Sequence, residues 1–217
     1  MKRRDFSLSA GSAVAAVGGL WGWSAQADTA KPEAGKDFLV VDPRAPVDAP
    51  AGKIEVVEFF WYSCPHCNAF EPALAAWVKQ LPKDIAFRRA PVSFRDDFAP
   101  QQRLYYALEA MGLVDKLHAK VFAAIHAEKQ DLSKAPAILD WVAKQGVDMV
   151  KFNEQFQSFS VATKATKAAQ LQNAYKVEGV PALGVAGRFY VDGQLAQSMD
   201  KALKVVDALV AGVRAGK

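Results

Sequence analysis

Cys64 and Cys67 are the only thiols in this 217-residue chain, and just Pro65 and His66 separate them. Such a pair serves one of three chemistries: a structural bridge, a metal site or redox exchange. A bridge closing so short a loop constrains little of the unfolded chain, because disulfide stabilisation grows with loop length. Tetrahedral zinc takes four ligands. Beside the thiols the chain offers only His66, His118 and His126, and His66 lies between the cysteines, where turning to the same ion is difficult. A c-type haem needs histidine directly after the second cysteine, and residue 68 is Asn. Delivery of a thiolate-bound metal stays open as an alternative.

Redox exchange accounts for every residue type in the motif. Residues 54–60 (Ile-Glu-Val-Val-Glu-Phe-Phe) are β-branched and aromatic and read as a strand, which runs straight into Ser63-Cys64-Pro65-His66-Cys67. A cysteine at the start of the following helix meets unsatisfied backbone N–H groups and the positive end of the helix dipole. Both favour the thiolate, which is the nucleophile. Pro65 falls in the first turn, where its missing N–H costs nothing. A charged His66 adds a second stabilising field. Stabilising the thiolate stabilises the reduced protein, so the disulfide form becomes an oxidant. Cys67, one turn deeper, is expected to be shielded and to resolve a mixed disulfide formed on Cys64.

The elements that must position this pair follow from the periodicity. After the motif, Phe70, Leu74, Trp77, Val78 and Leu81 form a helical stripe, with Pro72 inside it expected to kink or break the helix. Residues 85–92 read as a second strand, giving a βαβ unit. From about Phe98 to Tyr175 every pattern is helical. Leu104, Leu108 and Met111 end at Gly112; Val114, Leu117, Val121 and Ile125 follow; then come Ile138, Trp141 and Val142, opened by Ser133 and closed by Gly146. Two further helices are expected over 149–159 and 160–175. Past Gly179-Val180-Pro181, residues 182–186 and 189–191 read as a hairpin turning at Ala186-Gly187. Ser198 is placed to cap a last helix carrying Leu203, Val206, Leu209 and Val210. Residues 28–53, with Pro32, Pro43, Pro46 and Pro50, read as an extended lead-in. The class is α/β with a large helical insertion.

The chain's formal charge is +4. Lys2, Arg3 and Arg4, an apolar stretch over about 10–23, and Ala25-Gln26-Ala27 together form a secretory leader cut after Ala27. The apolar stretch is short of the roughly 20 residues that span a bilayer; an uncleaved anchor is the alternative. Arg3-Arg4-Asp5-Phe6 is a partial twin-arginine match, and an ordinary secretory signal serves equally. Without the leader, 24 basic and 22 acidic residues remain, interspersed and without a Lys/Arg-rich run. Nucleic-acid binding then has no support.

Glu58-Phe59-Phe60, Cys64-Pro65-His66-Cys67 with Phe70-Glu71, and Gly179-Val180-Pro181-Ala182 resemble the DsbA family of periplasmic thiol–disulfide oxidoreductases. The resemblance runs from about Lys53 to the end. It implies a thioredoxin fold, a mixed central sheet flanked by helices, over residues 28–95 and 176–217, with an inserted all-helical domain over 96–175. It also implies a cis-proline loop at Val180-Pro181 facing the sulfurs, the Val180 backbone pairing with an extended substrate. A bare X-Pro bond is cis only about 5–6% of the time, so that expectation comes from the family. Glu58 matches the family's buried acid beneath the second cysteine. A carboxyl within Val-Val-Glu-Phe-Phe is expected to be desolvated with a raised pKa, suited to proton exchange with Cys67; a half-exposed glutamate paired with a cation such as Arg89 is the alternative. Ser63 departs from thioredoxins, which carry tryptophan there. The implied partners are unfolded or newly exported polypeptides and a membrane oxidase of the DsbB type that passes electrons to quinone. Substrates would be held by strand addition beside Val180 and by apolar surface around Trp61 and Tyr62, two aromatics equally suited to the core. A monomer with neither cofactor nor resident metal is expected. An isomerase or reductase, or a binding module with a vestigial site, are the competing readings.

Overall fold

Ile54–Phe60 forms the strand β2, and every residue after Ile54 is buried. A strand buried on both faces needs cover on both. The computed structural model, which describes residues 31–216, supplies it; the leader expected over residues 1–27 lies outside the described residues. β2 belongs to a five-stranded sheet with β1 (Leu39–Val40), β3 (Ile85–Pro91), β4 (Ala182–Val185) and β5 (Phe189–Asp192), in the order β1-β5-β4-β2-β3. It pairs parallel with β3, setting Glu58 beside Arg89, and antiparallel with β4, setting Val57 beside Gly184. The sheet is therefore mixed.

Between β3 and β4 the chain forms α2 (Ala99–Ala110), α3 (Val114–His126), α4 (Ala135–Ala143), α5 (Met149–Gln157) and α6 (Phe159–Ala174). The helices α1 (Pro65–Val78) and α7 (Met199–Arg214) complete the structure. Alternation along β2 splits the core in two. Val56 packs with Phe70, Leu74, Leu183 and Val206, whereas Val57 and Phe59 join Leu104, Phe122, Ile138 and Phe152 of the helical block. Among the described residues no helix is long and apolar enough to cross a membrane.

Several local expectations need correction. α1 continues through Pro72 without a break. One proline removes a single N–H donor from the ladder, and the buried stripe Cys67, Phe70, Glu71 and Leu74 spans both sides of it. α5 and α6 divide at Ser158 rather than after residue 159, because the Ser158 hydroxyl accepts the Val161 N–H at 3.1 Å and caps α6. Ser133 does not cap α4; its own N–H donates to Asp131 Oδ1 at 2.9 Å, and Lys134 is the capping position. The lead-in contributes an edge strand, β1, with Leu39 opposite Tyr190. The hairpin turns where expected: Ala186 and Gly187 both take positive φ (54° and 69°), and the Arg188 N–H donates to Val185 O at 2.9 Å, as a tight hairpin turn demands. Ser198 caps α7 through the Lys201 N–H at 3.1 Å.

The helical block is tied to the sheet at both its ends. Gln102 Nε2 donates to Pro91 O at 2.8 Å, and Gln172 Oε1 accepts the Ser93 N–H at 2.8 Å. Tyr175, just past α6, accepts the Gly187 N–H at 2.9 Å. Its ring lies against Gly184, where an added Cβ would stand 2.5 Å from Tyr175 Cε1 and 2.7 Å from Val57 Cγ1. Gly184→Ala should accordingly destabilise the protein by about 1–3 kcal/mol through overpacking. A urea midpoint equal to wild type would show that the ring has room to move.

Candidate active site

Trp61, Tyr62, Ser63 and Cys64 form a turn closed by the Cys64 N–H donating to Trp61 O at 3.0 Å. This turn delivers Cys64 to the N-cap of α1, with extended backbone (φ −79°, ψ 117°) and Pro65 opening the first turn. The Cys64 sulfur takes the place of a capping oxygen, accepting the Cys67 N–H at 3.4 Å. Pro65 and His66 are exposed, Cys64 is 7% exposed and Cys67 is fully buried. Neither sulfur is bonded to another. Across from them the Val180–Pro181 bond is cis, and the Cys64 thiol donates to Val180 O at 3.3 Å.

The two sulfurs differ sharply in acidity. Cys64 is lowered to about 6, first by the hydrogen bond from the Cys67 thiol, against opposing burial, and then by the N–H groups of Cys67 and His66 and the His66 charge. Burial pushes Cys67 far above the ordinary thiol range. One sulfur is ionised at neutral pH and the other stays protonated.

Glu58 is 1% exposed and lies on the same face of β2 as Val56, the face that α1 covers. Arg89 Nε donates to Glu58 Oε2 at 2.9 Å. The carboxyl is therefore both buried and paired, and burial wins: it rises to about 8 despite the arginine, with Glu71 adding to the rise. The charge of Glu58 in turn acts on Cys67. Arg89 is shared, because its Nη2 donates to Glu71 Oε1 at 2.9 Å and Oε2 at 3.2 Å. His118 Nε2 stands 3.4 Å from Glu71 Oε2 on the far side. Burial works to raise Glu71, yet His118 and Arg89 together hold it below the usual carboxylate range. Burial lowers His118, with Glu71 opposing.

Glu71, His118, His126 and Gln101 were not singled out from the sequence as site residues. Glu71 had a signal, since Cys67, Phe70, Glu71 and Leu74 share one helical stripe. His118 lies on the Val114, Leu117, Val121 stripe in the same way. Tyr62 is 1% exposed and belongs to the core, so it is no substrate surface. Trp61 is half-buried and stacks on Phe98, with centroids 4.1 Å apart and planes at 11°. Among the described residues no group of three or more His, Cys, Asp or Glu side chains is placed to hold a metal ion.

An acidic sulfur backed by an inert one in the same helical turn, on this mixed sheet, defines a thiol:disulfide oxidoreductase of the thioredoxin fold. Residues 55–204 match the DSBA-like thioredoxin domain family, and the chain belongs to that family. The thiol:disulfide interchange protein DsbA of Burkholderia cepacia is 44% identical over 196 residues, covering 90% of this chain and 92% of that protein. Its Pseudomonas aeruginosa counterpart is 39% identical over 204 residues, covering 94% and 95%. The crystal structure of Pseudomonas aeruginosa DsbA superposes with a TM-score of 0.81 at 39% identity, covering 85% of this chain and 96% of that one. DsbA from Xylella fastidiosa gives 0.78 at 32% identity, covering 85% and 98%. The sheet and helical insertion expected from the sequence are the architecture these neighbours share.

Proposed function

We propose that the protein is a periplasmic dithiol oxidase that donates a Cys64–Cys67 disulfide to newly exported polypeptides. A substrate thiolate attacks Cys64 Sγ, the Cys64–Cys67 bond breaks, and Cys67 leaves with the electron pair. Glu58, protonated at neutral pH with its value at about 8, gives the buried Cys67 sulfur its proton. The mixed disulfide on Cys64 is resolved when a second substrate thiolate attacks the substrate's own sulfur and Cys64 departs as a stabilised thiolate. The substrate loses two electrons and two protons: one proton restores Glu58 to its acid form, the other passes to water, and the protein is left with Cys67 as a thiol and Cys64 as a thiolate. His66 and Pro65 shape the first turn around Cys64, and the backbone at Val180, beside Pro181, pairs with the extended substrate. Reoxidation falls to a membrane oxidase of the DsbB type that passes the electrons to quinone. Cleavage after Ala27 places the mature chain in the periplasm as a monomer, its thioredoxin-like part (28–95 and 176–217) carrying the helical domain (96–175). No cofactor enters this scheme.

The acidity of Cys64 carries this reading, because a stabilised thiolate is a good leaving group and favours the reduced protein. Iodoacetamide alkylation of Cys64 should therefore titrate with a midpoint near 6. A midpoint at about 8.5, that of an ordinary thiol, would remove the mechanism. The stability sign follows from the depressed folded value. The contribution to the reduced form is absent below pH 6, grows by at most about 1.4 kcal/mol per unit above it, and is complete above the unfolded value of 9.0. In the same titration series, equilibration with glutathione separates an oxidant from an isomerase or reductase.

A further inference from the structure

The turn that delivers Cys64 is held from outside at each residue before the cysteine, and every holding group belongs to the helical block or the short turn leading into it. Trp61 stacks on Phe98. Tyr62 is gripped twice by α3: the His126 Nε2–H donates to the Tyr62 carbonyl at 2.8 Å, and the Tyr62 hydroxyl shares a 2.8 Å hydrogen bond with His118 Nδ1. Ser63 Oγ accepts from Gln101 Nε2 at 2.8 Å, and that same nitrogen donates to Leu132 O at 3.1 Å. His118 and His126 are eight residues apart, which puts them on one face of α3 two turns from each other. His118 is 4% exposed and ringed by Phe60, Tyr105 and Phe122, with centroids 5.2 to 6.0 Å away. His126 stacks on Phe122 at 6.1 Å.

We propose that His118 and His126 are positioning residues for Cys64: by holding Tyr62 at its hydroxyl and its carbonyl, α3 sets the angle at which the Cys64 sulfur meets the N-terminus of α1. The proposal rests on the reading of Cys64 as nucleophile and adds a task for the helical block. Cys64 accepts the Cys67 N–H at 3.4 Å, an ordinary distance for a sulfur acceptor that depends on where the turn sets the sulfur. A small rotation of the Tyr62–Ser63 peptide moves the sulfur off that N–H. A carbonyl left without the His126 donor is free to make such a rotation toward another partner or water. Two contacts on one residue, from two turns of one helix, fix it against both rocking and twisting.

The test compares His126→Leu with His126→Gln in the full-length reduced protein, reading the Cys64 alkylation rate against pH alongside the thermal midpoint. Leucine removes the donor. Glutamine keeps an N–H in reach of the same carbonyl. His126→Leu should raise the alkylation midpoint so that about three- to tenfold less thiolate is present below it, with His126→Gln within twofold of wild type. A role confined to packing lowers both thermal midpoints and leaves the titration where it was. An unmoved titration in His126→Leu, or an equal displacement in both variants, overturns the proposal. Should the leucine variant not fold, Tyr62→Phe decides by deleting only the hydroxyl that meets His118: its titration must rise, and a wild-type curve overturns the proposal. Were the wild-type midpoint itself that of an ordinary thiol, the functional reading would fail first, and visibly so.

Discussion

Replacing Arg89 by leucine should destabilise the protein by about 3–5 kcal/mol, the usual cost of removing one partner from a buried ion pair. Arg89 is wedged between two acids, with side-chain exposures of 13% for the arginine and 1% and 11% for Glu58 and Glu71. Leucine leaves both carboxyls without their cation. Glu58 bears this easily, since its value is already raised to about 8 and it is protonated at neutral pH. Glu71 bears the loss, because of the two groups that hold it down only the buried His118 remains. The pH dependence follows. A carboxyl whose folded value is depressed supplies stability above its unfolded value and loses it as pH falls through the folded one. Glu71 has that form in the wild type and loses it in the variant. The deficit should be largest at pH 7–8 and shrink as pH falls, because the variant's Glu71 takes up its proton at a higher pH than the wild type's, which stays charged below the ordinary carboxylate value. Arg89→Lys should recover only part of it, since a point charge cannot reproduce the fork that reaches both acids. Urea unfolding at pH 5, 7 and 8 checks this. A deficit that is flat in pH would mean the arginine contributes packing alone.

Cys67→Ser should separate nucleophile from resolving thiol. Alkylation of Cys64 should persist, because the N-cap geometry, the Cys67 backbone N–H and the neighbouring His66 remain. Its midpoint should stay near the wild-type value, since the serine hydroxyl can supply the hydrogen bond that the Cys67 thiol gives Cys64. Dithiol oxidation should fall by at least about 10³-fold, because no Cys64–Cys67 disulfide can form to be donated and thiols in dilute solution must stand in for an intramolecular partner of high effective molarity. Mixed disulfides on Cys64 should then survive non-reducing electrophoresis after exposure to glutathione disulfide or an oxidised peptide. Retained oxidation, or accumulation of adducts in Cys64→Ser instead, would reverse the two assignments.

The parts of this molecule legible in the sequence are those with a local cause. Residues 54–60 occupy the whole of β2 because their side chains suit a strand, and the hairpin turns at Ala186-Gly187 because Gly187 takes positive φ freely, with Ala186 drawn into the same region beside it. Ser198 caps α7 for the same kind of reason. Pro72 does not break α1, because the buried stripe contributed by neighbours on both sides outweighs the donor it removes and its crowding of the preceding turn. β1 escaped notice because two residues carry no periodicity; Leu39 and Val40 are strand only because β5 offers them an edge. At the site, the difference between Cys64 and Cys67 follows from their places in the first turn. The sharing of Arg89 between Glu58 and Glu71, and the grip of His118, His126 and Gln101 on residues 62 and 63, join segments 18 to 64 residues apart in sequence. No spacing rule reaches across such intervals, although the apolar stripes of α1 and α3 mark Glu71 and His118 as inward-facing.

The two glutamines that tie down the ends of the helical block also bear on how the chain assembles. Val57 and Gly184 must find each other across the whole insertion for β2 to pair with β4. In an unstructured chain, loop-closure entropy opposes that meeting and rises by about 0.6 kcal/mol with each doubling of the intervening length. Gln102 and Gln172 bring the first and last helices of the block to the same stretch, Pro91 to Ser93. Once the block has formed, its two ends already lie side by side at the exit of β3. The span left for the strands to close is then a short connection, and the long detour through five helices adds little to the search.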